Sequence, residues 1–583
     1  MSIENQDNLQ PAEPAAMQTA PAEPAGSLTG QPAAENVPQA AYQAEYQQAN
    51  QPGYQPAYPP ANQTYQPYQP YQNVPYYYRL KPATPYNCTS TDGLFALFIL
   101  AAGFLFMDFI VFRLFALGAG VTVFTGILLL FTLVYFIKNK IKILKSTWFI
   151  FGTIVISSAY YLFFSNQFLG LLNLIFLSVC YIYWVCAVTG TRIQKKIGPY
   201  AAYDICKSIF LIPFLNLGTI IKSIRSLFSK SKKTKSFAMT VLGFLIALPL
   251  IIIVILLLNN ADPAFSEMIK NSLKYLTGNF AHYFVDLLFG IPAAFYIFGL
   301  IFGCVKKRNT NIISEEDAAR KFQKFKIMPK VMAYGALFGF LLIYTLFYIS
   351  QFQYLFSAFN SVLPSDFSYS GYAKRGFYEL CAVAFINLLI ILSSKLLVKY
   401  MGENGKTPTL IKFINFCLSV YTIGFIAIAV SKMIMYMGAY GLTPLRIYTS
   451  WFMVFLFIVF FLIIVRQFNE KFNITRFAAC AGTLMFLILC FSNTDALIAK
   501  YNVDSYLKGD LPRFNISSLS DLSDSSVPYV EQIILNSKDL YAKNEATSVL
   551  INIRDTTIRD DWKSFNFSSA RAEAIYEKYL EVY

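Results

Sequence analysis

The chain has 583 residues, of which 56% are hydrophobic, 17% aromatic and only 14% charged. Soluble domains carry about 25% charged residues, so an ordinary water-soluble globular protein is excluded. The formal net charge is +15, from 48 Lys+Arg against 33 Asp+Glu, but the basic residues cluster in loops between apolar runs. That pattern fits membrane orientation and argues against nucleic-acid binding.

Residues 1–87 are low-complexity, rich in Gln, Pro, Ala, Asn and Tyr, as in Tyr65-Gln66-Pro67-Tyr68-Gln69-Pro70-Tyr71. So few aliphatic residues cannot offset the entropy of ordering a chain, which reads as a disordered cytoplasmic tail with polyproline II bias. The regular tyrosine spacing offers weak stacking contacts to protein partners, although a solvated spacer is the plainer reading. The Met1 end carries no basic, apolar signal peptide.

Eleven apolar stretches follow: 94–117, 118–137, 147–164, 168–188, 237–258, 283–305, 331–350, 377–398, 412–438, 447–465 and 477–493. Most approach the ~20 residues that cross a bilayer. The first two are joined at Gly118-Ala119-Gly120, as a tight hairpin or one broken helix. The last is short and could run on toward Lys500, lodging Asp495 near the interface. The expected fold is therefore all-α: a polytopic helical membrane protein of about eleven transmembrane helices, with a disordered N-terminal tail and a small α-helical C-terminal extramembrane domain. Its divisions are the tail (1–87), an N-terminal transmembrane region (88–236), a transmembrane core (237–499) and the terminal domain (500–583).

Alternate loops are basic: 138–146, 189–200, 222–236, 306–330, 399–412 and 466–476. With eleven spans they all fall on one side. The positive-inside rule then places the N-terminus in the cytoplasm and the C-terminus outside a plasma (cytoplasmic) membrane. Residues 203–221 are apolar but broken by Pro213 and Gly218, which suits an interfacial or re-entrant helix better than a span. The basic run Lys230–Lys235 suits anionic lipid in addition to the bilayer itself.

From about Lys500 acidic residues outnumber basic ones. Val527, Val530, Ile533 and Ile534 share one helical face, with Pro528 in the first turn. Ile575, Tyr576, Tyr579, Leu580 and Tyr583 mark a second amphipathic helix, with Ser568-Ser569 as expected caps.

Ionisable groups in a span are costly, so each needs a partner or water. Asp108 and Arg113 in the first span are five residues apart, a poor intrahelical pair, and suit pairing with other helices as a structural ion pair. Asp262, Asp286, Arg375, Glu379, Lys432 and Arg446 fall on the outer side. Snorkelling is the bland account of Lys432; the sharper one is a polar vestibule in which the three acids meet the three bases, as ion or proton coupling would require. Gly438 to Arg446 reads as a tight helical hairpin, with Gly441 suited to positive φ and Pro444 to the next helix start. The nine cysteines form no CxxC pair, and the lone His282 reads as interfacial. No motif points to catalysis, a cofactor or a metal.

Three segments carry a resemblance: Tyr372-Ala373-Lys374-Arg375-Gly376-Phe377-Tyr378-Glu379-Leu380-Cys381, Ala439-Tyr440-Gly441-Leu442-Thr443-Pro444-Leu445-Arg446, and Asn493-Thr494-Asp495-Ala496-Leu497-Ile498-Ala499-Lys500-Tyr501-Asn502. In this order they resemble the bacterial membrane family domain of unknown function 4173, related to 4153, over roughly 237–502. The resemblance implies the architecture and no activity. Transport of a small solute or ion past Glu379, Lys432, Arg446 and Asp286 is the first expectation for function. The alternative is a sensor or scaffold linking the outer helical domain to cytoplasmic partners through the tyrosine-rich tail.

Overall fold

A computed structural model describes residues 86–227, 261–273, 280–310, 313–359, 369–399, 408–511, 514–556 and 561–580, with scattered helical positions between 243 and 258. The tail to residue 85, the Lys230–Lys235 run and most of the expected span 237–258 lie outside the described residues. Among those described there is no strand beyond one isolated bridge between Met328 and Val398.

Ten described helices are long and apolar enough to cross a bilayer. The first four are α1 (Ser90–Phe109, continued by a tight turn to Arg113), α2 (Ala119–Lys138), α3 (Trp148–Phe163) and α4 (Gln167–Thr189). A bent segment follows, ending in α5 (Thr219–Leu227). The other six spans are α6 (Phe280–Val305), α7 (Lys330–Phe359), α8 (Tyr369–Leu397), α9 (Thr409–Tyr440), α10 (Pro444–Phe468) and α11 (Ile474–Phe491). Large apolar side chains such as Leu130, Phe338, Ile349 and Phe413 are more than half exposed on these helices. Only hydrocarbon tolerates that many, so this is a multi-pass membrane protein.

The bent segment fits the interruption expected at 203–221. Helix Ala201–Asn216, with wider π-type turns over Lys207–Leu211, meets α5 at 52°. Inside it Lys207 is buried and donates to the Thr191 carbonyl (3.0 Å) and the Asp204 carboxylate (3.3 Å). A buried ammonium needs both acceptors.

Packing forms three cores. The first unites α1–α5 with α6, which runs antiparallel to α1. The second is built by α7–α10. The apolar packing therefore groups α6 with the N-terminal helices, although the sequence reading placed 283–305 in the later transmembrane region. Helix α11 touches both cores: Leu489 and Cys490 belong to the first, while Ile474 and Ala478 pack on the second.

The third core is the terminal domain: α12 (Thr494–Lys508), α13 (Val527–Asn536), α14 (Leu540–Thr556) and α15 (Phe567–Leu580). The expected face of α13 is buried at Val527, Val530 and Ile533. α11 does not run on toward Lys500: the chain breaks at Asn493, whose φ of 48° is left-handed, and Thr494 starts a new helix. α15 is capped by Asn566, whose Oδ1 accepts from the Ser569 amide at 2.8 Å, so Ser568 and Ser569 lie inside its first turn. Helix α14 has no counterpart in the sequence reading.

The loops sort to two ends. Lys306 reaches Asn139 (2.9 Å) and the buried Asp92 (3.0 Å), Gln194 reaches Glu315 (2.7 Å), and Asn473 reaches the Ile197 carbonyl (2.9 Å). These basic loops therefore share one end. The turns at 114–118, 164–166 and 441–443 share the other, where the terminal domain docks.

Candidate functional site

The docking seam starts at Gly118. The first-turn amides of a helix have no partner within it. In α2 they are taken by the terminal domain: Ala119 N–H donates to the Phe565 carbonyl (2.9 Å) and Gly120 N–H to the Lys563 carbonyl (2.8 Å). A Cβ on Gly118 would stand 2.4 Å from the Ser564 carbonyl carbon, so only glycine admits this backbone.

Charge seals the same spot. The Lys563 ammonium lies 2.7 and 2.9 Å from the two Asp108 oxygens. Arg113 pairs with Asp561 at 2.7 Å and donates from Nε to the Asp108 backbone carbonyl at 3.2 Å. The Asp108 and Arg113 side chains therefore do not bridge each other, and their partners come from the terminal domain instead of another membrane helix. Trp562 packs edge-on against Phe109 at 5.5 Å.

Asp495 is the second fastening. It is buried in the first turn of α12. Its oxygens accept from Asn166 Nδ2 (2.9 and 2.8 Å) and from the Ser523 amide (3.0 Å). Asn166 also caps α4 through the Leu169 amide (2.8 Å) and donates to the Tyr448 hydroxyl (3.0 Å). One carboxylate thus ties the α3–α4 turn, α12 and the domain together. Burial pushes the Asp495 carboxyl above its ordinary value, and the bonds from Ser523 and Asn166 oppose that rise.

A cleft of about 490 Å³ opens at this point. Gln167, Phe168, Leu445, Tyr448, Asp495 and Asp521 line it, with Phe168 stacked on Tyr448 at 5.3 Å. Among the described residues no Lys or Arg lines it. The Ser165 hydroxyl, buried without a hydrogen-bond partner among the described residues, lines it too. Two carboxylates, an aromatic pair and several neutral polar groups suit a small polar solute that is neutral or cationic.

The outer turn 438–446 is the third fastening. Gly441 takes φ of 76°, and Pro444 opens α10. Asn502 reads the Leu442 backbone at both atoms: Oδ1 accepts its N–H (2.7 Å) and Nδ2 donates to its carbonyl (2.8 Å). Arg446 donates to the Tyr440 and Gly441 carbonyls and covers the Tyr436 ring at 4.1 Å. It caps the end of α9.

The six outer-side residues expected as a vestibule have separate fates. Glu379 on α8 lies near enough to Lys432 on α9 for their charges to interact. Asp286 is fully buried on α6, the helix whose later turns build the first core. Asp262 is exposed and accepts from the Ala264 amide (2.9 Å) at a helix start. Arg446 serves carbonyls, as above. Arg375 lies on α8, and its side chain, like that of His282, is outside the described residues.

Below the Glu379–Lys432 pair, polar groups continue between α7, α8 and α9. Tyr344 donates to Asn387 (2.5 Å), Asn387 donates to Thr422 (2.9 Å), and Asn415 donates to Ser394 (3.2 Å). Each is satisfied by a neighbouring helix, the usual polar adhesive of membrane bundles.

Sequence reasoning missed Asn166, Tyr448, Asn502, Ser523, Asp561 and Lys563. The one available signal was the Gly118-Ala119-Gly120 run, which marks a close backbone approach without naming the visitor. No curated protein and no solved structure matches this chain. The family model that matches, Domain of unknown function (DUF4153), covers residues 150–533, a wider span than the resemblance drawn from motifs alone. Its reach from α3 through α13 takes in Asn166, Tyr448, Asp495, Asn502 and Ser523, so the chain belongs to the DUF4153 family.

Proposed function

We propose that the protein is a sensor in a bacterial cytoplasmic membrane, with the basic loops and tail in the cytoplasm and the terminal domain outside. The positive-inside rule supports the orientation, because the basic loops share the end opposite the docked domain. One observation carries the reading: the 490 Å³ cleft lies on the seam, and Asp495 in its wall is held by both sides of that seam. A solute bound there changes how the domain sits on the helix ends. Tail residues 1–85 supply the contacts to cytoplasmic partners. The order of the three quoted motifs keeps a closer likeness to domain of unknown function 4173 as part of this proposal.

Purified protein in detergent, heated with a panel of amines, amino acids and polyols, tests the reading. A solute that raises the melting temperature of the wild type but not of Asp521→Asn is expected. If no solute acts, or Asp521→Asn responds equally, the cleft is not a receptor site. A transport reading is favoured by the Glu379–Lys432 pair and the polar groups beneath it. Solute uptake by proteoliposomes that Glu379→Gln abolishes would make transport the function.

A further inference from the structure

A second cleft, of about 470 Å³, opens at the basic end of the bundle, between α8, α10 and the start of α11. Its walls are apolar: Leu388, Ile391 and Leu392 from α8, Val459 and Ile463 from α10. Its mouth holds three cations, Lys395, Arg466 and Lys471, and among the described residues no carboxylate lines it. Lys395 and Arg466 sit in the last turns of their helices, so they lie at headgroup depth. Arg466, a like charge, lies near enough to act on Lys395. The nearby Glu470 is paired with Lys412 of α9.

Two neighbouring cations at a membrane boundary call for an anion between them. A loop carbonyl supplies only partial charge: Arg466 donates to the Phe472 carbonyl, which orients the guanidinium and leaves its full charge in place. The apolar wall above suits an acyl chain, and the cationic mouth suits a phosphate. We propose that this cleft binds one anionic phospholipid, its phosphate between Lys395 and Arg466, its chain along Leu388–Leu392 and Val459–Ile463, with Lys471 at the headgroup rim. Basic pockets between helices on the cytoplasmic side recognise lipid in this way. The site is separate from the seam cleft, so the two proposals fail independently.

The test uses the full-length chain purified in neutral detergent, with added phosphatidylglycerol, phosphatidylcholine or inorganic phosphate. Native mass spectrometry counts retained lipid, and melting temperature reports binding. Phosphatidylglycerol is expected to be retained at one per chain and to raise the melting temperature, with phosphatidylcholine doing neither. Lys395→Gln/Arg466→Gln should bind it about thirtyfold more weakly, the sum of two basic-residue contributions. The exposed Lys471→Gln guards against misfolding and should show a smaller loss, while Lys142→Gln, in another basic loop, should show none. Equal retention of phosphatidylcholine, or an unchanged response in the double variant, overturns the proposal. Inorganic phosphate acting as well as the lipid would also overturn it, marking a plain phosphate site.

Discussion

Lys563 and Asp108 stand 455 residues apart in the chain, yet the ammonium of one sits 2.7 Å from the carboxylate of the other. The pair is largely buried, with the Asp108 side chain 6% exposed and that of Lys563 15%. Removing one partner of a buried pair costs about 3–5 kcal/mol, because the other charge is stranded. Lys563→Met should therefore destabilise docking by that order, and Lys563→Met with Asp108→Asn should recover most of it. Thermal unfolding of the four members of this double-mutant cycle measures the coupling.

Gly118→Ala should loosen the seam without touching a charge. The added methyl meets backbone 2.4 Å away, which cannot retreat as a flexible side chain would. A cost of about 1–3 kcal/mol is expected from such overpacking. Faster tryptic cleavage within 500–583 is the readout. Gly126→Ala, whose new Cβ would meet nothing within 4 Å, should leave the cleavage rate unchanged.

Asp495 makes stability depend on pH with a definite sign. Its folded value is raised by burial above the ordinary 3.8. A raised carboxyl favours the fold when protonated, so its contribution is full below the unfolded value and is lost as pH rises through the folded one. The melting-temperature advantage of wild type over Asp495→Asn should be largest in acid and shrink toward neutrality. An advantage that grows with pH would contradict the assignment.

Asn502→Asp replaces an amide that both donates and accepts with a carboxylate that only accepts. The Leu442 carbonyl then loses its 2.8 Å donor and faces a negative charge. A loss of about 1–3 kcal/mol follows from a buried group left unsatisfied. Faster amide exchange confined to the 438–446 turn and α12 should accompany it.

Much of the membrane architecture was legible because the bilayer imposes one rule on every span: about 20 apolar residues. That rule found all ten described crossings, while Gly218 and Gly441 marked the break in the bent segment and the outer turn. It carries no information on which helices touch. The cluster drawn from Asp262, Asp286, Arg375, Glu379, Lys432 and Arg446 assumed that charges on one side converge. Arg446 instead caps its own hairpin, where carbonyls within six residues compete with any distant carboxylate. Asp108 and Arg113 were recognised as needing partners, but Asp561 and Lys563 lie in a polar stretch where charge is ordinary and nothing marks a mate. Asn166 and Asn502 are neutral loop and helix residues whose roles exist only once two distant segments meet.

The amides of Ala119 and Gly120 impose a schedule on biogenesis. Their acceptors, the carbonyls of Phe565 and Lys563, are translated more than four hundred residues later. Through that interval the first-turn amides of the second crossing lack the acceptors they have in the finished fold. Closure of the seam is therefore a late step of assembly, because its acceptors come last in the chain.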